Sequence, residues 1–87
     1  MNAPRKLTDN FIATLVDDEV VLIDMTGGEL FSLKDTSRTI WELIDGQRTQ
    51  ADIATILTER YEVELTEAAE GVDALLRDLG DAKLVDV

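Results

Sequence analysis

The chain has 87 residues, 45% of them apolar, and its 19 acidic against 8 basic side chains give a net charge of −11. A chain of this length forms one domain with a modest core, and its apolar fraction is typical of a folded protein. The charge argues against nucleic-acid binding, which depends on basic side chains that neutralise phosphates. Because the sequence also has no Cys or His, it lacks the most common metal ligands and nucleophiles. We therefore expect no metal, no cofactor and no catalysis.

The sequence shows no sign of a membrane or secretory segment. No apolar run approaches the roughly 18 residues of a membrane span, and the N-terminus has no signal-peptide core. Small domains in oxidising compartments usually carry disulfides, and this chain has no cysteine. We therefore predict a cytoplasmic protein that does not associate with a membrane.

The N-terminal part of the chain predicts an arm followed by a hairpin. Residues 1–10 hold the single proline and show little periodicity, which predicts a flexible N-terminal arm. Apolar, β-compatible runs follow at Phe11–Val16 and Val20–Met25. The acidic pair Asp17-Asp18 between them predicts a tight hairpin turn.

A third strand follows, and it leads directly into helical sequence. Gly27-Gly28 predicts a turn, since glycine adopts the positive φ that such turns need. Residues Glu29–Leu33 then predict a strand, with Glu29, Phe31 and Leu33 on one face and Leu30 and Ser32 on the other. Three short strands with tight turns predict an antiparallel meander, in which the first and third strands are both edges.

Three segments with helical spacing follow, and Lys83-Leu84-Val85 predicts a short extended tail that folds back on the domain. Gly71 lies inside the third segment, where it costs about 1 kcal/mol relative to Ala, so we expect close packing around it. The sequence thus predicts an α+β domain over residues 11–87: a winged helix-turn-helix-like fold with a three-stranded antiparallel sheet followed by three helices. The predicted N-caps of the helices are Asp35 or Thr36, then Thr49, then Thr66.

Two functional alternatives follow from this outline. A winged-helix nucleic-acid-binding or regulatory domain would read DNA with its third helix, whose polar positions should then carry Arg, Lys, Asn or Gln. An acidic carrier protein would need a modified serine at a helix start, for which Ser37 is the nearest candidate. Helix capping explains the hydroxyls near Ser37 more simply.

The charge of the third helix argues against the first alternative, the reading of DNA. This helix carries one arginine, Arg77, against five carboxylates that DNA phosphates would repel: Glu67, Glu70, Asp73, Asp78 and Asp81.

The free edge of the third strand is the remaining candidate for a site. An exposed edge has unpaired backbone groups that recruit other strands, and proteins usually blunt such edges. The edge at Glu29–Leu33 could accept an extended peptide as an added strand, or pair two copies of the chain. The residues alone favour an ordinary structural edge, and the binding edge stays open.

Two motifs resemble those of PqqD-family proteins. Residues 19–34 read EVVLIDMTGGELFSLK, which is similar to the family's "VVLLD…TG.YF.LN" run. Residues 40–49 read IWELIDGQRT, which is similar to the family's "IWELLDG.RT" segment. The resemblance covers roughly Ile12 to Val85, and one departure is Leu30, where the family commonly has tyrosine.

The resemblance implies a non-catalytic protein that binds the leader segment of a ribosomally made precursor peptide. The leader would lie as an added strand along the third strand, in a groove walled by the third helix. A maturation enzyme would then act on the precursor: a leader peptidase, a cyclase or a radical S-adenosylmethionine enzyme, in lasso-peptide or pyrroloquinoline-quinone-like maturation. The peptide-binding residues that this implies are Leu30, Phe31, Ser32 and Leu33 on the strand, and Ala69, Val72, Asp73 and Leu76 on the helix.

Overall fold

The computed structural model describes residues 3–87, which form an α+β fold. The prediction of a three-stranded antiparallel sheet followed by three helices is confirmed. Two very short strands at the chain ends form a second, separate sheet. In chain order the elements are β1 (Arg5–Lys6), a short 3₁₀ helix (Thr8–Asn10), β2 (Phe11–Val16), β3 (Glu19–Asp24), β4 (Leu30–Leu33), α1 (Thr36–Leu43), α2 (Gln50–Arg60), α3 (Leu65–Asp81) and β5 (Val85–Asp86).

The main sheet has the order β2-β3-β4, so β2 and β4 are both edge strands. The β2–β3 turn is the predicted acidic pair, and Asp17 adopts a positive φ of 55° there. In the β3–β4 turn, the buried Asp24 carboxylate accepts a hydrogen bond from the Thr26 N–H at 2.9 Å. A Cβ on Gly27 would come within 2.8 Å of this carboxylate, so a larger residue there would displace the Asp24 side chain.

One face of the sheet and three helices enclose a single core. On β3 the buried positions alternate, with Val20 and Leu22 facing the helices, and on β4 Leu33 does the same. This alternation is the period-two pattern of a sheet with one covered face. The helices contribute most of the remaining buried apolar side chains: Ile40, Trp41, Leu43, Ile53, Ala54, Leu57, Ala68, Val72, Leu76 and Leu79.

The predicted N-cap residues agree with the structure at some helices and not at others. Thr49 forms a complete capping box, since its side chain accepts from the Asp52 N–H and the Asp52 carboxylate accepts from the Thr49 N–H. Asp35 occupies the N-cap position of α1, but its side chain makes no capping bond. The predicted Thr66 cap is wrong, because Glu64 is the N-cap residue of α3 and Thr66 lies within the helix.

The segment predicted to be an arm differs from that prediction over its described part. Pro4 is buried, β1 pairs with β5, and the Leu7 N–H donates to the Leu84 carbonyl at 2.9 Å. These contacts join the two ends of the chain, and no local periodicity could have predicted them. Residues 1 and 2 of the predicted arm lie outside the described residues.

The α1–α2 turn is built around one carboxylate. Asp45 accepts hydrogen bonds from the backbone N–H groups of Gln47 and Arg48 at 2.9 and 2.8 Å, and the Arg48 guanidinium pairs with it at 2.8 Å. The backbone N–H of Arg48, followed by that of Gln47, lowers the pKa of the Asp45 carboxyl. The segment IWELIDGQRT is therefore a structural element: core residues of α1, this turn and the Thr49 cap.

Within residues 3–87, no helix is both long enough and apolar enough to cross a membrane.

Candidate functional site

The outer edge of β4 presents unpaired backbone groups. The Asp24 N–H donates to the Glu29 carbonyl at 2.8 Å, so the backbone groups of Glu29 point toward β3. Successive residues of a strand direct these groups to opposite sides. Leu30 and Ser32 therefore direct their N–H and C=O groups to the free edge. Among the described residues no strand pairs with that edge.

One margin of α3 borders β4 at its C-terminal end and borders the start of α1 in its first half. Its positions recur at the three- and four-residue spacing of one helix face, and two surface cavities along it also involve the β4 side of the sheet or the start of α1. We call the space between this margin and the β4 edge the β4–α3 groove. The α3 residues of the margin are Glu67, Gly71, Leu75, Asp78 and Ala82, the last of these being the C-cap residue.

The groove has an acidic end. A cavity of about 250 Å³ lies between the start of β4 and the end of α3. We call it the acidic cavity, because three of its five lining residues are carboxylates: Glu29, Asp78 and Asp81, with Phe31 and Ala82. The Phe31 side chain is half-buried and packs against the core.

Toward its N-terminus the same margin of α3 faces α1 instead of β4, and the surroundings there are largely apolar. A second cavity, of about 210 Å³, adjoins the start of α1 and the first half of α3. We call it the apolar cavity; its lining residues are Thr36, Ile40, Leu57, Val63, Glu67, Ala68 and Gly71. Since β4 begins near the end of α3 and leads to α1 near the start of α3, the strand and the helix run in opposite directions along the groove.

Gly71 borders the apolar cavity and is not closely packed, which corrects the sequence-based expectation. A Cβ built at this position meets no atom within 4 Å. The glycine thus leaves room at the groove instead of permitting close approach of another element.

Gly71→Ala should therefore stabilise the protein. Because the new methyl group meets open space, we expect the free energy of unfolding to rise by about 0.5–1 kcal/mol through helix propensity, measured by urea denaturation. Gly28→Ala is the matched control: its Cβ also meets nothing within 4 Å, but Gly28 has a φ of +73°, so we expect destabilisation of about 1 kcal/mol. A change in the free energy of unfolding with the same sign in both variants would contradict this account.

The four predicted strand residues divide between two faces. The side chains of Leu30 and Ser32 are exposed on the outer face of the sheet, and Leu30 retains 64% of its accessible surface. Phe31 lines the acidic cavity. Leu33 is buried in the core, so only its backbone is near the edge.

The four predicted helix residues do not lie on the groove margin. Val72 and Leu76 are fully buried in the core, at 0% and 1% exposure. Asp73 pairs with Arg77 at 3.1 Å, and with Ala69 it lies on the opposite margin of α3, which continues to Gly80 beside β5. Sequence periodicity located the buried stripe of α3, but it could not tell which of the two margins faces β4.

The second free edge of the sheet, on β2, has different surroundings. A cavity of about 360 Å³ separates β2 from α1 and is bordered by Lys6, Arg38 and Trp41, among others. The Lys6 ammonium lies 4.7 Å from the centre of the Trp41 ring. Burial lowers the pKa of Lys6, against the opposing effect of the Glu42 and Asp45 charges. This edge has α1 beside it and basic side chains near it, whereas the β4 edge has α3 beside it and acidic ones.

The described residues offer no cluster of three or more acidic side chains close enough to hold a metal ion. The buried hydroxyl of Thr39 and the phenol of Tyr61 form a hydrogen bond at 2.7 Å that joins α1 to the end of α2. Every buried side-chain nitrogen and oxygen of residues 3–87 has a hydrogen-bond partner.

Comparison with protein families gives a match over most of this fold. The sequence profile described as coenzyme PQQ synthesis protein D (PqqD) matches residues 19–85, from β3 into β5. The chain belongs to the PqqD family. The match includes both the β4 edge and the whole of α3, so the groove lies within the region that defines PqqD proteins. No curated protein matches the chain.

Two solved structures resemble this PqqD protein over nearly its full length. The first, lasso peptide synthetase B1 complexed with the leader peptide, is 29% identical, with a TM-score of 0.84, and the alignment covers 98% of this chain and 99% of that one. The second, TbiB1 in complex with the TbiA(beta) leader peptide, is 26% identical, with a TM-score of 0.81 and coverage of 93% and 94%.

Proposed function

We propose that this protein binds the leader segment of a ribosomally made precursor peptide as an added strand on β4, and presents the precursor to a maturation enzyme. The observation that carries the proposal is the free backbone of Leu30 and Ser32 beside the α3 margin. Strand addition draws affinity from main-chain hydrogen bonds and specificity from adjacent pockets. The acidic cavity lies directly beside β4, and the apolar cavity lies farther along the same margin of α3, beside α1.

The β4 edge suits this role better than the β2 edge. A strand added to β4 would direct alternate side chains toward α3 and toward the outer face of the sheet. The inward side chains would meet the margin of Gly71, Leu75 and Asp78. The residues we propose for leader contact are therefore the backbone of Leu30 and Ser32 with the groove-lining side chains, in place of the buried Val72 and Leu76.

The similarity to two B1 chains solved with their leader peptides supports the same function for this chain. It favours a lasso-peptide type of maturation, because both similar chains match almost end to end. We propose no chemistry for the chain itself. The modifying or processing step then belongs to the partner enzyme, a leader peptidase, cyclase or radical enzyme.

An NMR titration tests the proposal directly. The isotope-labelled protein is titrated with the leader segment of a short precursor encoded beside its gene, and in parallel with the TbiA(beta) leader peptide as a second probe. We expect amide shifts concentrated on Leu30–Leu33 and on the α3 margin, together with slowed hydrogen exchange of the Leu30 and Ser32 amides.

One control and two contrary outcomes make the result decisive. A scrambled leader of identical composition separates strand recognition from general charge attraction. If neither leader shifts any amide, leader binding is refuted. If shifts concentrate on β2 and around Trp41 instead, the chain binds peptides at the other edge and the β4 assignment is wrong.

A further inference from the structure

In the described part of the chain, the three carboxylates that line the acidic cavity have no basic side chain paired with them. Glu29, Asp78 and Asp81 make no ion pair within 4 Å among residues 3–87, where the pairs formed involve other carboxylates. The cations nearest to Asp78 and Asp81 along the chain, Arg77 and Lys83, line a different cavity beside β5, which Asp81 also borders. Three carboxylates thus border one cavity without an opposite charge.

The position of these carboxylates on α3 adds to the negative potential. Asp78 and Asp81 lie in the last turn of the helix, where the unsatisfied carbonyl groups already carry partial negative charge and where basic residues are favoured. The last turn of α3 contains no basic residue. Asp78 and Asp81 are also three positions apart on one helix, a spacing at which like charges repel. An incoming cation would relieve both effects.

The geometry also limits what kind of cation fits. The three carboxylates are not close enough together to hold a metal ion. The cavity of about 250 Å³ is bordered by the half-buried ring of Phe31, and an aromatic face attracts an ammonium or guanidinium group. A flexible side chain with a charged end and an apolar stem matches this lining better than a small ion does.

We propose that the acidic cavity takes a lysine or arginine side chain of the bound leader. The inference rests on the proposed function, because it assumes a strand on the β4 edge. An added strand places alternate side chains on the groove face, and the side chain at the Glu29 end of β4 is the one that reaches the cavity. The cavity would then select leaders with a basic residue at this place and fix how far the leader is shifted along β4.

The test combines protein and leader variants in one cycle. The affinity of the leader used above is measured by fluorescence anisotropy for the wild type and for the double variant Asp78→Asn, Asp81→Asn. Each Lys or Arg of the leader is also replaced in turn by Gln. We expect the double variant to bind about five-fold more weakly at low salt, the size of one or two partly exposed ion pairs, and one leader Gln variant to show the same loss. Combining the two changes should cost no more than either alone.

A matched control separates local from general electrostatics. The double variant Asp17→Asn, Glu59→Gln removes the same charge from exposed positions outside the groove, and we expect it to retain the affinity of the wild type within about two-fold. An equal loss in this control would overturn the proposal in favour of general attraction.

Other outcomes separate this proposal from the proposed function. If the leader shifts the β4 amides but the Asp78, Asp81 variant binds it with unchanged affinity, the cavity does not select a basic residue while leader binding stands. A leader that binds on β4 and contains no Lys or Arg would lead to the same conclusion. If no leader binds at all, both proposals fail.

Discussion

Ser32→Pro should weaken leader binding by at least about ten-fold while leaving the fold intact. The backbone N–H of Ser32 points away from β3, so proline removes no hydrogen bond of the sheet. It does remove one donor of the free edge, and its ring stands where the added strand would approach. One lost hydrogen bond costs about 0.5–1.5 kcal/mol, and the steric obstacle adds to that cost. Isothermal titration calorimetry with the leader measures the change.

Ala13→Pro on β2 is the matched control for this prediction. Alternation along β2 places the backbone N–H of Ala13 at the other free edge of the same sheet, so the two variants impose the same constraint on opposite edges. We expect Ala13→Pro to bind the leader like the wild type. Circular dichroism of both variants should match that of the wild type. A folded Ser32→Pro protein with unchanged affinity would exclude strand addition at this position.

The local features of this fold were predictable because each depends on neighbouring residues. Strand β4 has Phe31 and Leu33 on its more buried face and Leu30 and Ser32 on its exposed face, as predicted, and the β2–β3 turn falls on Asp17-Asp18. The cap of α2 also followed from a Thr at position 49 and an acidic residue three positions later. Each of these signals lies within a few residues of the structure that it predicts.

The features that the sequence did not predict depend on contacts between residues that are distant along the chain. Strands β1 and β5 are two residues long and pair with each other. The predicted extended tail at Lys83–Val85 overlaps β5, but its partner β1 has no pattern of its own. The α3 margin was unpredictable for a related reason: the buried stripe of Ala68, Val72, Leu76 and Leu79 has a margin on each side. Only the packing of α3 relative to β4 determines which one borders the groove.

The residues that identify the family differ from the residues that we propose to bind the leader. The segment that most clearly resembles PqqD proteins forms the core of α1 and the Asp45 turn, and none of its interactions depends on the groove. The proposed contact residues have weaker signatures. Gly71 and Ala82 are small, and Asp78 is one carboxylate among the 19 acidic residues of the chain. A motif can thus identify the fold while leaving the binding residues undetermined.

Leu76→Ala should strongly destabilise the protein without changing the leader affinity of the folded form. Leu76 is 1% exposed in the core, and truncating a buried leucine to alanine costs about 2–5 kcal/mol. That is a large part of the about 5–15 kcal/mol available to a small domain, and we expect the melting temperature to fall by about 10–25 °C. Thermal denaturation followed by circular dichroism measures the loss.

Leu65→Ala makes the same change on the same helix at a side chain that is 57% exposed, so we expect a stability change within about 0.5 kcal/mol. Leader affinity of Leu76→Ala is measured at about 10 °C, where stability is near its maximum, after circular dichroism has established that the variant is folded there. We expect it to lie within about two-fold of the wild-type value, because the Leu76 side chain does not reach the β4–α3 groove. A folded Leu76→Ala protein that binds the leader ten-fold more weakly would return this residue to the binding site and contradict a purely structural role.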